Sequence, residues 1–226
     1  YYFIGRDEDL EAIHHRPLGA NNLLLLVNGR GGMGKTTNAA KYFQTYQADY
    51  QHLAWVFTGE SMLEALLTLA IPLNVQFGDK MPNEQRLTLL LQKMANLKKP
   101  CLLVIDNAND LDDLTQHYNA LRRCHNFHLL LTSRITEFQS AKRHEVQPLK
   151  WEDRLLLFQH HYPKLQASEY ELLRSIITAV GKNTLVIELL AKNLREFNRF
   201  KTSYSLQDLL NDLQEKGLLA IKGKPL

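Results

Sequence analysis

A glycine-rich segment between residues 29 and 36 has the residue types and spacing to bind a chain of phosphates. It reads Gly-Arg-Gly-Gly-Met-Gly-Lys-Thr, a full match to the pattern G-x-x-x-x-G-K-[ST], with an apolar run before it and a helix-like stretch after it. Its glycines let consecutive backbone N–H groups point at one anion, and the helix adds the positive end of its dipole. The ammonium of Lys35 would contact the β- and γ-phosphates, and the Thr36 hydroxyl would hold Mg²⁺. The segment therefore predicts binding of a nucleoside triphosphate.

A carboxylate for the metal follows another apolar run. Cys101–Ile105 has the pattern of a buried strand, and Asp106 comes directly after it, where ligands of open α/β sheets collect, so we expect Asp106 to complete the Mg²⁺ shell. Many ATPases of this arrangement place a second acid next, but this chain has Asn107. An amide can orient a water but cannot accept its proton, and Asp110 could substitute only if the loop folds back. Slow or absent hydrolysis is therefore expected.

Arg134 follows the fourth apolar run, Phe127–Thr132. An arginine after a central strand, next to the strand that ends at Asp106, would face the γ-phosphate position. There it could sense the triphosphate or stabilise charge during transfer. The alternative is a surface arginine paired with a nearby carboxylate, and the spacing alone leaves both interpretations open.

Strands and helices alternate in the part of the sequence that carries these residues. The predicted strands are Leu23–Asn28, Leu53–Thr58, Cys101–Ile105, Phe127–Thr132 and His144–Leu149. The first, third and fourth are nearly continuous apolar runs, which is typical of strands covered on both faces in a parallel sheet. Beyond residue 149 the pattern changes to helices, with a capping-box pattern at Ser168–Glu171 in the second of them. The predicted helices are Lys150–Tyr162, Ser168–Val180, Thr184–Phe197 and Ser205–Lys216.

The composition excludes several classes of protein. Hydrophobic residues make up 45% and charged residues 23% of the 226, which are globular proportions rather than those of a disordered chain. A net charge of +3 is too small to demand a nucleic acid or an anionic membrane as partner. Two cysteines are too few for a disulfide framework and are typical of a reduced, cytoplasmic protein. No apolar run approaches the roughly 20 residues of a membrane span.

The chain starts at Tyr1 and stops amid charged residues, which we interpret as an excised part of a longer protein.

Taken together, the motifs resemble the NB-ARC type of STAND ATPase, a signal-transducing, AAA+-related branch of the P-loop proteins. Phe3–Leu10 is similar to the family's hhGRxxEL segment, which packs beside the adenine, and Gly29–Thr37 closely matches its P-loop. Leu102–Asn107 resembles its Walker B strand, and Leu130–Arg134 resembles its sensor segment, whose arginine meets the γ-phosphate. Val146–Leu149 and residues 180–191 resemble the entry into the helical lid and the GxP-type lid motif.

The resemblance implies an α/β fold, a five-stranded parallel-sheet P-loop NTPase core of the ASCE or AAA+-like kind followed by a small all-helical lid domain. The implied domains are residues 1–149 for the core, 150–200 for the lid, and 201–226 as a helical segment that could start a winged helix. Asp106, Asn107 and Arg134 are the implied catalytic positions, and Thr36 with Asp106 the Mg²⁺ ligands. The implied nucleotide contacts are Ile4, Gly5, Arg6, Gly29, Gly31, Gly32, Met33, Gly34, Lys35, Thr36, Thr37, Pro148 and Thr184.

Two departures from the family pattern affect the expected activity. Asn107 replaces its second Walker B acid, which puts turnover in doubt, and Thr184 replaces the lid proline that packs on the adenine. The expected function is a nucleotide-dependent switch that binds ATP or ADP with Mg²⁺, acting with other domains of the same protein and able to form a homo-oligomer. One alternative is an AAA+-like ATPase associated with DNA through a downstream winged helix. A P-loop kinase with a small acceptor is a further alternative, although no acceptor-pocket motif supports it.

Overall fold

The computed structural model describes residues 2–15, 24–98, 100–139, 141–199 and 203–217. The chain forms two compact units. One consists of Asp7–Gly31 and Lys35–Val146 and is called the sheet unit; the other consists of Tyr1–Arg6, Gly32–Gly34 and Gln147–Leu226 and is called the helical unit. No helix in the described ranges is both long and apolar enough to cross a bilayer.

The sheet unit is built on five parallel strands in the order β2-β3-β4-β1-β5. The strands are β1 (Leu24–Asn28), β2 (His52–Phe57), β3 (Cys101–Asp106), β4 (Phe127–Ser133) and β5 (Lys142–Glu145). All six residues of β3 are buried, which explains why this strand reads as a continuous apolar run in the sequence. The predicted α/β fold with a five-stranded parallel sheet is therefore confirmed.

Helices flank this sheet and complete its core. They are α1 (Asp7–His14), α2 (Lys35–Thr45), α3 (Met62–Leu67), α4 (Asn83–Ala95) and α5 (Leu111–Leu121). Short side chains fix where two of them begin: Ser61 caps α3, and the Asp110 carboxylate caps α5 by accepting a hydrogen bond from the Asp113 N–H at 2.9 Å. The core between the sheet and these helices includes Leu66, Leu90, Leu103 and Leu114, all fully buried.

The boundaries of the last strand differ from the prediction. β5 begins at Lys142 and ends at Glu145, so the predicted strand His144–Leu149 is wrong over its last four residues and starts two residues too late. The last hydrogen bond to β1 runs from the Val146 N–H to the Asn28 carbonyl, and Pro148 has no N–H with which to continue the ladder. The start was missed because β5 is an edge strand in which only His144 is buried, so it lacks an apolar run.

Four helices form the helical unit over the residues that the structure describes. They are α6 (Trp151–His161), α7 (Tyr170–Ala179), α8 (Thr184–Arg199) and α9 (Leu206–Lys216). Their inward faces share a core that includes Phe158, Leu173, Ile187 and Leu194. Residues 218–226, where the sequence allowed the start of a winged helix, lie outside the described residues.

The start of α7 differs from its prediction. The helix begins at Tyr170, after a single 3-10 turn at Ala167–Glu169, and the capping box is formed by Gln166 and Glu169 rather than by Ser168 and Glu171. The predicted pattern was wrong because a pair with the same three-residue spacing lies two positions earlier, and the glutamine side chain serves as the cap.

Candidate functional site

The glycine-rich segment is a turn between β1 and α2. Gly32 and Gly34 have φ angles of 77° and 98°, a region that residues with a Cβ rarely adopt. A Cβ on Gly32 would also collide with the amide of Asn183. Gly29 is half-buried and also has a positive φ, whereas Gly31 is exposed. Because α2 begins at Lys35, its first N–H groups have no partner within the helix and are available to an anion.

Lys35 folds back on this turn. Its ammonium donates hydrogen bonds to the carbonyl oxygens of Gly29 at 2.8 Å and Arg30 at 3.0 Å. Burial lowers the pKa of Lys35, the charge of Arg134 lowers it further, and the charge of Asp106 opposes both effects. The positive charges of Lys35 and Arg134 therefore repel one another beside the turn, and a bound anion would offset that repulsion.

Thr36 and Asp106 meet at the proposed metal position. The Thr36 hydroxyl donates to Oδ1 of Asp106 at 2.9 Å, and the Thr132 hydroxyl donates to the same oxygen. Asp106 is 4% exposed, at the carboxyl end of β3. A hydroxyl and a carboxylate are hard oxygen donors, which fit Mg²⁺ and no soft metal. Thr37, the next residue, lies half-buried in the first turn of α2.

Hydrogen bonds to three neighbouring residues hold Asn107 in place. It has a φ of 68°, and its backbone N–H donates to the Thr132 hydroxyl at 2.9 Å. Its side-chain Nδ2 donates to the Thr58 carbonyl at 2.9 Å, and its Oδ1 accepts from Asn109 at 2.5 Å. The amide is thus engaged with protein groups in this structure. Asp110, the other residue considered for handling the water, uses its carboxylate to cap α5.

Arg134 follows β4 directly and lies beside the glycine-rich turn. Its guanidinium Nη2 is 3.8 Å from the point that a Cβ on Gly31 would occupy. Its backbone N–H donates to Oδ1 of Asn109 at 2.7 Å. Within the ranges that the structure describes, no carboxylate forms an ion pair with Arg134, which favours the phosphate-facing interpretation over a surface pair.

The remaining predicted contacts belong to the helical unit. Ile4 packs against its core, Met33 is buried, and Pro148 is exposed. Arg6 is 6% exposed, and its guanidinium donates to the carbonyls of Gln147 at 2.6 Å and Met33 at 2.8 Å. Arg6 therefore ties three segments of this unit together.

Gly5 and Thr184 complete this set. Gly5 has a φ of 65°, and a Cβ there would collide with Asp153. Thr184 opens α8, and its hydroxyl oxygen is buried with no hydrogen-bond partner in the described part of the chain. Next to it, the Leu185 N–H donates to the Gly32 carbonyl at 2.9 Å.

Comparison with known protein families assigns this chain to one of them. The NB-ARC domain model matches residues 6–168, most of the chain. The chain belongs to the NB-ARC family. As expected from the motifs, it is a nucleotide-binding, ATPase-like P-loop domain, of a kind that generally binds nucleotide with Mg²⁺. No curated protein matches the sequence significantly.

Three AAA+ ATPases of solved structure share this fold. Cdc6p from Pyrobaculum aerophilum is 14% identical with a TM-score of 0.63, over 87% of this chain and 62% of its own. The ORC1 protein of Aeropyrum pernix, solved in complex with DNA, is 13% identical with a TM-score of 0.64, over 94% and 67%. Domain III of the Thermotoga maritima replication initiation protein DnaA is 15% identical with a TM-score of 0.56, over 99% and 95%. At these identities the likeness shows the fold, and the NB-ARC chain spans less than two thirds of the Cdc6p chain.

Sequence reasoning missed four polar residues in this NB-ARC chain. Thr58, Thr132 and Asn109 link the ends of β2, β3 and β4, and Asn183 caps α8 by accepting from the Val186 N–H at 3.2 Å. The only available signal was position, since Thr132 is two residues before Arg134 and Asn109 two after Asn107. Polar residues at strand ends are common in any sheet, so position alone did not distinguish these four.

Proposed function

We propose that this chain is the ATPase core of a nucleotide-dependent switch, which binds ATP or ADP with Mg²⁺ and hydrolyses ATP slowly or not at all. The observation that carries the proposal is the convergence of Lys35 and Arg134 beside a glycine turn whose α2 amides are free of helical partners. Two cations and a helix start in one place favour a polyphosphate over a single carboxylate. Asp106 and Thr36 supply the oxygens that suit the accompanying Mg²⁺.

Weak hydrolysis follows from the chemistry at position 107. An amide takes no proton from water, and here both of its polar atoms bind protein groups. Binding without rapid turnover suits a switch, because the bound nucleotide then persists. At about 100 times its dissociation constant, a ligand stabilises the state that binds it by about 2.7 kcal/mol.

The remaining assignments rest on family resemblance. We propose residues 1–149 as the core, 150–200 as the lid and 201–226 as a further helical segment, with adenine contacts from Ile4, Pro148 and Thr184. The partners proposed are other domains of the full-length protein and further copies of this chain. A cytoplasmic location is supported by two free, buried cysteines, Cys101 and Cys124. The net charge of +3 argues against DNA binding by this chain, although one structural neighbour was solved with DNA.

Thermal unfolding with and without nucleotide tests the proposal. We expect Mg-ADP and Mg-ATP to raise the melting temperature of the wild-type chain, and Lys35→Ala to abolish the rise. Lys93→Ala, which removes an exposed lysine at the end of α4, is the matched control and keeps the rise. An equal rise in Lys35→Ala and wild type would show that nucleotide binds elsewhere.

A further inference from the structure

A chain of hydrogen bonds crosses the carboxyl ends of three neighbouring strands in the sheet unit. Thr58 follows β2, Asn107 and Asn109 follow β3, and Arg134 follows β4. The Thr58 carbonyl accepts from Asn107 Nδ2 at 2.9 Å, and Asn107 Oδ1 accepts from Asn109 Nδ2 at 2.5 Å. Asn109 Oδ1 then accepts from the backbone N–H of Arg134 at 2.7 Å. These four residues are called the asparagine chain below.

Both ends of the asparagine chain are anchored to the sheet. At the β2 end, the backbone N–H and the hydroxyl of Thr58 both donate to the Asp106 carbonyl at 2.9 Å. At the β4 end, the Ala108 N–H donates to the Thr132 carbonyl at 2.9 Å, and the Ser133 hydroxyl donates to the Ala108 carbonyl. The asparagines therefore connect points that the sheet already fixes.

Within the asparagine chain, Asn109 is the residue that binds the backbone of Arg134. Arg134 is the first residue beyond β4, its side chain is exposed, and its guanidinium is close to Gly31. A long side chain can swing widely, so the region that its guanidinium reaches depends on where its backbone is held. The hydrogen bond to Asn109 holds that backbone at the side of the glycine-rich turn.

We propose that Asn109 is a positioning residue for Arg134, and that Asn107 holds Asn109 in that role instead of handling the attacking water. The proposal rests on the proposed function, since it concerns how this nucleotide site distinguishes a triphosphate from a diphosphate. Arg134 is the group placed to meet a third phosphate, whereas Lys35 and the α2 amides serve both nucleotides. Loss of Asn109 therefore weakens binding of the triphosphate and spares the diphosphate.

Calorimetric titration with two Mg²⁺ nucleotides, ADP and a non-hydrolysable ATP analogue, tests this proposal. The measured quantity is the ratio of the two dissociation constants. We expect Arg134→Ala to lower the preference for the triphosphate analogue, and Asn109→Ala to lower it by about fivefold, the value of one hydrogen bond. The ADP dissociation constant stays within about twofold of wild type, which a general loss of structure would not allow.

Two further variants separate positioning from a loss of structure. Asn109→Asp keeps an acceptor for the Arg134 N–H but removes the donor to Asn107 Oδ1, so it lowers the preference in part, by less than Asn109→Ala does. Asn109→Gln keeps the amide but displaces it by one methylene, so it lowers the preference even if Asn109→Ala fails to fold. Asn119→Ala, at an exposed position of α5, is the control that changes neither constant.

The outcomes of these titrations test the positioning role of Asn109 separately from the proposed nucleotide-binding function. If Arg134→Ala lowers the preference while Asn109→Ala and Asn109→Gln keep it, Asn109 does not position Arg134. If Arg134→Ala also keeps it, Arg134 does not sense the third phosphate and the positioning role is overturned as well. If the wild-type chain binds neither nucleotide, the proposed function itself is wrong.

Discussion

Asn107 stands where the family pattern has an acid, and its amide uses a capacity that an acid lacks. Nδ2 is a donor, and it donates to the carbonyl of Thr58 on the neighbouring strand end. An aspartate would place a carboxylate oxygen against that carbonyl, beside the buried carboxylate of Asp106. The positive φ of 68° suits both residue types, so exchanging one for the other isolates the effect of the hydrogen bond.

Asn107→Asp therefore tests what this position does. We expect the free energy of unfolding to fall by about 1–3 kcal/mol, because a donor is lost and a carbonyl is left without its partner. Phosphate release from Mg-ATP stays at or below the wild-type rate, since one carboxylate oxygen still accepts the hydrogen bond from Asn109 Nδ2, which holds the side chain at the strand ends. Denaturant unfolding without nucleotide and a phosphate-release assay measure the two effects.

The control for this variant is Asn119→Asp, which adds the same charge at an exposed position of α5 and changes stability by no more than about 0.5 kcal/mol. A variant Asn107→Asp that is as stable as wild type and releases phosphate faster would show that the side chain at 107 turns to the water.

At the scale of elements, α5 connects the Asp106 strand with the Arg134 strand. It follows β3 after a short loop and begins at the Asp110 cap. The same helix carries Asp113, whose carboxylate accepts from the Met62 N–H at 2.6 Å and so fixes the start of α3. The beginning of α5 therefore sets the geometry of two neighbouring elements by hydrogen bonds to backbone amides.

Substitutions of Asp110 separate a capping role from a catalytic one. Asparagine caps a helix as well as aspartate does but accepts no proton, whereas alanine does neither. We expect Asp110→Ala to lower the free energy of unfolding by about 1 kcal/mol and Asp110→Asn to leave it near wild type. Both variants keep the wild-type rate of phosphate release. Slower release in a fully stable Asp110→Asn would assign the carboxylate a part in proton transfer.

The elements that the sequence predicted well are those in which one force dominates. β3 and β4 are buried over nearly their whole length, so their apolar runs mark them, and the glycine-rich turn is fixed by a motif that tolerates few alternatives. β5 was predicted with the wrong bounds because an edge strand needs few apolar residues. The site shows the same contrast between strong and weak sequence signals. Thr36 and Asp106 lie in recognisable motifs, and the structure joins them by a hydrogen bond. Asn109 instead contacts the backbone N–H of Arg134, 25 residues away, and a contact of this kind leaves no periodic pattern in the sequence.

At the scale of the whole molecule, each unit has its own apolar core. The core of the sheet unit contains both cysteines, which are free, and that of the helical unit contains none among the described residues. Cys101 is the first residue of β3, the strand that ends at Asp106, so a reagent reaches this buried thiol only when β3 opens. Burial raises the pKa of Cys124 to about 11 and that of Cys101 above its ordinary value, which keeps both thiols unreactive in the folded chain.

Labelling of these thiols therefore reports how nucleotide binding stabilises the molecule. If opening of the core also destroys the nucleotide site, Mg-ADP at about 100 times its dissociation constant slows labelling about 100-fold, because the open population falls by that factor. Reaction of a chromogenic disulfide with the native chain, with and without nucleotide, measures the effect. Lys35→Ala loses it and Lys93→Ala keeps it. Equal labelling rates with and without Mg-ADP, in a chain shown by calorimetry to bind it, would mean that the core opens while the nucleotide stays bound, so the site and the sheet would not form one cooperative structure.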